Sequence, residues 1–167
     1  KSDMLICAPT ASGKTEAAFL PVISDIIDKN PEKSVKVLYI SPLKALINDQ
    51  FKRVEQLCEK IDFPITKWHG DANSSAKAKL LKKPGGILLI TPESLEALFL
   101  NRFDKLVMMF RELDYIIIDE IHYFIENPRG THLRSLLARL ENNIKKHPPR
   151  KAFPNKRFQP ADSPILS

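Results

Sequence analysis

The chain alternates between short apolar runs and longer stretches in which apolar residues recur every three or four positions. The apolar runs are Met4–Ala8, Val35–Ser41, Ile65–His69, Ile87–Thr91 and Tyr115–Asp119. Several lack the polar alternation of a half-solvated strand, so they predict strands buried on both faces. The helical spacing falls in Lys14–Lys29, Leu43–Ile61, Ser74–Lys83 and Glu93–Asn101, with a further helix over part of Phe103–Phe110. Strands separated regularly by helices predict an α/β fold, a mainly parallel sheet with helices on both faces. A last helix is predicted over Thr131–Lys146, where Leu133, Leu136, Leu137, Leu140 and Ile144 share one apolar face. Pro148-Pro149 stops it. The pattern therefore divides the chain into a folded domain over residues 1–147 and an irregular tail over 148–167.

Charge sharpens that division. The 167 residues carry a net charge of +6, but from Lys145 onward there are six Lys or Arg against the single acid Asp162, leaving the body close to neutral. Five of the 13 prolines fall within the tail. The high isoelectric point is thus weak ground for nucleic-acid binding by the body. Apolar residues at 43% and charged residues at 28% exclude a disordered chain, a collagen-like repeat and a disulfide scaffold. No apolar run approaches the roughly 18 residues of a membrane span, and the N-terminal run does not read as a signal peptide. Cys7 and Cys58 lie far apart without metal-ligand neighbours, which predicts buried free thiols and a reducing compartment, the cytoplasm.

Two motifs carry chemistry. The apolar run Met4–Ala8 is followed by Pro9-Thr10-Ala11-Ser12-Gly13-Lys14-Thr15 and then by a helical pattern. Amides at a helix start have no internal partner and point at an anion. Gly13 lets the backbone approach, Lys14 reaches the β- and γ-phosphates, and the Thr15 hydroxyl ligates Mg²⁺. The second motif is Asp119-Glu120-Ile121-His122 after the apolar run Tyr115–Ile118. Ligands of open α/β sheets bind outside the C-terminal ends of the strands. There Asp119 would hold Mg²⁺ and Glu120 would polarise the attacking water. Either motif alone is ordinary, a lysine after a turn or a solvated acidic turn. Together they form two halves of one site.

These residues resemble the first RecA-like domain of a superfamily 2 helicase, a P-loop NTPase. Ala8–Thr15 resembles motif I, and Asp119-Glu120-Ile121-His122 resembles motif II in its D-E-x-H form. Ser41-Pro42-Leu43-Lys44-Ala45-Leu46 is similar to motif Ia, His69-Gly70-Asp71 to the turn that follows it, and Thr91-Pro92-Glu93-Ser94-Leu95 to motif Ib. The stretches Gly13–Pro21, Glu120–Phe124 and Arg129–Leu133 resemble the large helicase-related (Lhr) proteins. The resemblance implies ATP and Mg as cofactors, with Thr10, Ala11, Ser12, Gly13, Lys14 and Thr15 around the phosphates. It implies catalytic roles for Lys14, Asp119, Glu120 and His122, the last coupling the site to bound polymer. It also implies a nucleic-acid backbone, DNA favoured over RNA, held by Pro42, Leu43, Lys44, His69, Gly70, Thr91, Pro92 and Glu93. For Thr91-Pro92 an N-cap with proline at the first helical position accounts for the same residues.

The sequence departs from the family after Lys146, where no Ser-Ala-Thr motif appears, and a second RecA-like domain with its arginine finger is missing from this chain. The expectation is slow hydrolysis and no strand separation by these 167 residues alone. A duplex translocase of the restriction-subunit kind would share both motifs, and an ATP-binding module without turnover is the third reading.

Overall fold

A computed structural model describes residues 3–9, 13–28, 33–125, 127–146 and 165–166. The sheet comprises β1 (Val35–Ile40), β2 (Ile65–Trp68), β3 (Gly86–Ile90), β4 (Tyr115–Ile118) and the two-residue β5 (Ile165–Leu166). Its order is β2-β3-β1-β4-β5, and every pairing is parallel. The helices are α1 (Lys14–Ile26), α2 (Lys44–Glu59), α3 (Ser74–Lys82), α4 (Pro92–Asn101), α5 (Phe103–Phe110), α6 (His122–Ile125) and α7 (Pro128–Lys146).

The uninterrupted apolar strands are explained by two cores, one on each face. Side chains alternate across a strand, so Leu38, Ile40, Leu88, Ile90, Ile116 and Ile118 face one way, onto α4, α5 and α7. Val37, Tyr39, Ile87, Leu89, Tyr115 and Ile117 face the other, onto α1 and α2. Phe19 of α1 is fully buried in the second core, its ring centroid 5.5 Å from that of Tyr39. Each such side chain contributes about 1.5–3 kcal/mol on full burial. On α7, Leu133, Leu136, Leu140 and Ile144 enter the first core while Leu137 packs at its margin, as the helical spacing predicts.

Parallel strands put every strand end of one polarity at the same edge. The segments after β1, β2, β3 and β4 are therefore neighbours: Ser41–Lys44, His69–Asp71, Thr91–Glu93 and Asp119–His122. The opposite edge is closed by structural contacts. There the buried Lys36 pairs with Glu112 at 2.7 Å, and Ser34 donates to Met109 O at 2.9 Å while accepting from Glu112 N–H at 3.0 Å. Gly86 starts β3 at φ 69°, and a Cβ there would lie 1.8 Å from Pro64 O.

Four expectations are corrected. Met4–Ala8 is not a strand: residues 3–9 join no ladder, and Met4 and Leu5 are 56% and 64% exposed. An apolar run records the wish for burial, but a strand exists only through its neighbour. The edge of β4 facing away from β1 pairs with Ile165–Leu166 instead. Cys7, in that run, is consequently exposed, whereas Cys58 is buried as expected. The last helix starts at Pro128 rather than Thr131, because the Asn127 side chain accepts from Arg129 N–H at 2.8 Å and Pro128 takes the first helical position. Ile165–Leu166 form a strand within the stretch read as an irregular tail. Lys29 and the rest of that tail lie outside the described residues.

Candidate functional site

Gly13, at φ 84°, turns the chain into α1, which begins with no side-chain cap. A helix start without a cap offers its first amides to a ligand. Lys14 and Thr15 occupy that first turn, and the Thr15 hydroxyl donates to Gln50 Oε1 of α2 at 2.7 Å. Thr10, Ala11 and Ser12 lie outside the described residues.

Asp119 and Glu120 leave the end of β4. The Asp119 amide still donates to Ile40 O at 2.9 Å, which fixes its backbone to the sheet. Its side chain accepts from the Tyr39 hydroxyl, Tyr39 Oη to Asp119 Oδ2 being 2.5 Å. Burial first, and then the Asp119 and Glu120 carboxylates, push the Tyr39 phenol far above its ordinary range, so it stays a donor. Glu120 turns the chain at φ 50°, a left-handed conformation costing a non-glycine residue about 1–2 kcal/mol. The turn is closed by Tyr123 N–H donating to Glu120 O at 2.8 Å. His122 Nδ1 lies 3.2 Å from Glu120 Oε2.

These groups line one cleft of about 520 Å³, with Gly13, Lys14 and Thr15 on one wall and Asp119, Glu120 and His122 on another. Asp49, Gln50 and Arg53 of α2 complete it; none of the three was singled out from sequence. Among the described residues no group of three His, Cys, Asp or Glu could hold a metal alone. A hydroxyl and one or two carboxylates, open to phosphate and water, form the donor set that Mg²⁺ prefers over an all-protein cage. The residues present therefore fit that ion.

The same edge continues past the cleft. Pro42 is buried, and Leu43 and Lys44 are exposed. Lys44 Nζ lies 2.9 Å from Asp71 Oδ2 and close to Gly70, whose Cβ position is 3.3 Å away. The first motif-Ia residues and the His69-Gly70-Asp71 turn thus meet. The hydrogen bond from Lys44 holds the Asp71 carboxyl below its ordinary value. His69 itself is buried, its Nε2 3.2 Å from Asn48 Oδ1 and its carbonyl accepting from Lys77 Nζ at 2.6 Å. Burial, with Lys67 nearby, lowers its pKa and keeps the ring neutral. Its ring shapes the turn from inside.

Thr91 is also buried, and its hydroxyl accepts from Ser94 N–H at 3.3 Å as the cap of α4, with Pro92 at the helix start. Glu93 is exposed and paired. Arg129 of α7 donates to Glu93 Oε1 through Nε at 3.0 Å and through Nη2 at 2.7 Å, and Nη2 also donates to Pro42 O at 2.8 Å. One guanidinium therefore ties the turn after β1 to the turn after β3. Arg129 had no assigned role in the sequence, and neither did Tyr39 or Gln50. Arg129 stood only within the stretch Arg129–Leu133 that carries the resemblance, and Tyr39 only as the one hydroxyl-bearing side chain within the run Val35–Ile40.

A parallel sheet whose strand-end edge gathers a Gly-Lys-Thr helix start and an Asp-Glu turn in one cleft is a RecA-like domain of the P-loop NTPase class. Residues 1–154 match the DEAD/DEAH box helicase family, and the chain belongs to it. It is 40% identical over 156 residues to ATP-dependent helicase Lhr-Core protein 2 of Thermococcus barophilus, covering 84% of this chain and 18% of that protein. It superposes with a TM-score of 0.76 on the Lhr helicase of Mycobacterium smegmatis bound to ssDNA and AMP-PNP, at 28% identity, covering 99% of this chain and 21% of that one. For the DUF1998 helicase MrfA bound to DNA and AMPPNP the TM-score is 0.78 at 26% identity, with the same coverage of 99% and 21%. The chain spans about a fifth of the length of these relatives.

Proposed function

We propose that this domain binds Mg-ATP in the cleft between α1 and β4 and the sugar-phosphate backbone of one DNA strand along the turns after β1, β2 and β3, as the motor domain of an ATP-dependent helicase. The supporting observation is the single cleft lined by Lys14, Thr15, Asp119 and Glu120. In this reading the α1 amides and Lys14 hold the β- and γ-phosphates. Thr15 and Asp119 would hold Mg²⁺, whose charge would offset that of the phosphates. Glu120 accepts the proton side of a hydrogen bond from the attacking water, and His122 beside it links that carboxylate to α6. The neighbouring turns offer the nucleic acid the Lys44 ammonium, the backbone of Gly70 and the start of α4. DNA is favoured over RNA because the Lhr and MrfA structures similar to this chain are complexes with DNA.

By itself the 167-residue chain is proposed to bind Mg-ATP weakly, to hydrolyse it slowly and not to separate strands, since an arginine finger supplies about 10³–10⁵ in rate and unwinding needs closure of two domains. Titration of a fluorescent ATP analogue with and without Mg²⁺, comparing Lys14→Ala, tests the phosphate site. Loss of binding in the variant supports it, and equal binding by both proteins removes it.

A further inference from the structure

We propose that Tyr39 and Gln50 are positioning residues that hold the two metal-facing side chains, Asp119 and Thr15, and that the segment carrying them lets nucleic acid at Pro42–Lys44 act on the metal site. The inference rests on the nucleotide reading above. Its observation is a shared origin. Asp119 Oδ2 accepts from Tyr39 Oη at 2.5 Å, and Thr15 Oγ1 donates to Gln50 Oε1 at 2.7 Å. Thr15 and Asp119 come from distant parts of the chain, yet both partners come from one continuous stretch: β1, the motif-Ia turn, and α2.

Each hydrogen bond does a definite task. A carboxylate at a strand end is free to rotate about its last torsion. The Tyr39 phenol fixes one Asp119 oxygen and leaves the other to face the cleft. Tyr39 cannot follow a swinging carboxylate, because it is 3% exposed and its ring packs against Phe19. Thr15 gives its only proton to Gln50, so both hydroxyl lone pairs remain available to a cation. Such outer partners orient metal ligands as surely as the ligands orient the ion.

The connection to nucleic acid is mechanical. α2 starts at Lys44 and is anchored to the sheet through Ile47, Val54 and Cys58, all buried. It is one continuous helix, so a displacement of its first turn would be passed on to Gln50. On the other side Tyr39 is only three residues from Pro42 along a strand that pairs with both β3 and β4. A strand backbone bound at the turn therefore pulls on both grips at once.

The test is a Mg²⁺ titration of fluorescent ATP-analogue binding to the full chain, for wild type, Tyr39→Phe and Gln50→Ala, with and without a single-stranded oligodeoxythymidine. Phenylalanine keeps the packed ring, and Gln50 is only half-buried, so both variants retain the core. The Mg²⁺ midpoint is expected to rise about tenfold in each variant, well beyond any loss of analogue affinity in EDTA. A structural defect would lower both together. The oligonucleotide is expected to shift the wild-type midpoint and to shift the variants' midpoints less. Midpoints within twofold of wild type, or equal losses with and without Mg²⁺, overturn the positioning roles. A wild-type midpoint indifferent to the oligonucleotide overturns the coupling. A wild-type chain that binds no analogue under any condition overturns the nucleotide reading itself.

Discussion

Arg129 offers the sharpest test of how the nucleic-acid edge is held together. Arg129→Ala removes two hydrogen bonds to Glu93 Oε1 and one to Pro42 O. The Arg129 and Glu93 side chains are 35% and 55% exposed, so the ion pair contributes at most about 1 kcal/mol. The charged donor on the Pro42 carbonyl adds about 1–1.5 kcal/mol. A loss of about 2 kcal/mol corresponds to a melting temperature roughly 6 °C lower for a domain of this size.

The effect on single-stranded DNA is separate from that loss. Without Arg129, Glu93 stands uncompensated beside the proposed phosphate path. Repulsion over roughly 7 Å is worth about 0.6 kcal/mol in water and about 2.4 kcal/mol at an effective dielectric of 20. Affinity is then expected to fall between about threefold and fiftyfold, and Glu93→Gln in the Arg129→Ala background to recover most of it. Fluorescence anisotropy of a labelled oligonucleotide over a salt series measures both quantities. Repulsion from Glu93 is relieved by Glu93→Gln, whereas the loss of a direct Arg129–phosphate contact would persist in the double variant and lower the slope by about 0.7. An unchanged affinity, or a loss that Glu93→Gln does not relieve, would refute this account of the bridge.

Gly86→Ala places a methyl group 1.8 Å from Pro64 O on a backbone at φ 69°; a loss of about 4 kcal/mol is expected, read as a lower urea midpoint. Thiol titration should find Cys7 reactive in the native protein. Cys58, whose thiol burial and Glu55 push up to about 11, should react only on unfolding. Glu112 feels burial, which raises its pKa, but Lys36 2.7 Å away prevails and holds it below the ordinary value. Hydrogen bonding from Arg139 and His132 does the same for Glu96 against a smaller burial effect. Both carboxylates therefore contribute stability above the ordinary glutamate range, and that stability is lost as pH falls through their lowered folded values. Thermal melts from pH 6 to pH 3 should show this decline, and Lys36→Met should flatten it while lowering stability at pH 6, because half-buried Glu112 exchanges a 2.7 Å partner for the longer 3.8 Å contact to Arg111.

Much of the architecture was legible because apolar periodicity reports burial directly. Val37–Ile40 and Tyr115–Ile118 are solidly apolar because a core lies on each side of them. The motif positions followed from strand polarity, since any segment after a parallel strand arrives at the same edge. Met4–Ala8 failed for the complementary reason. Its composition matches a buried strand, but composition carries no information about whether a neighbouring strand is there to pair. The roles of Tyr39, Gln50 and Arg129 could not be read because each acts through a partner distant in sequence. Gln50 reads as one polar position on an amphipathic helix, and only the packing of α2 against α1 makes it a partner of Thr15. The start of α7, by contrast, was there to be read in Asn127-Pro128.

The all-parallel register has a genetic corollary. The edge bearing Lys36–Glu112, Ser34 and the Gly86–Pro64 contact supports the fold without lining the cleft. The edge bearing Lys14, Asp119 and Glu120 carries the proposed chemistry. Random alleles should accordingly sort by edge: heat-sensitive alleles, rescued at low temperature, would gather at the first, and alleles that make normal amounts of inactive protein at any temperature would gather at the second.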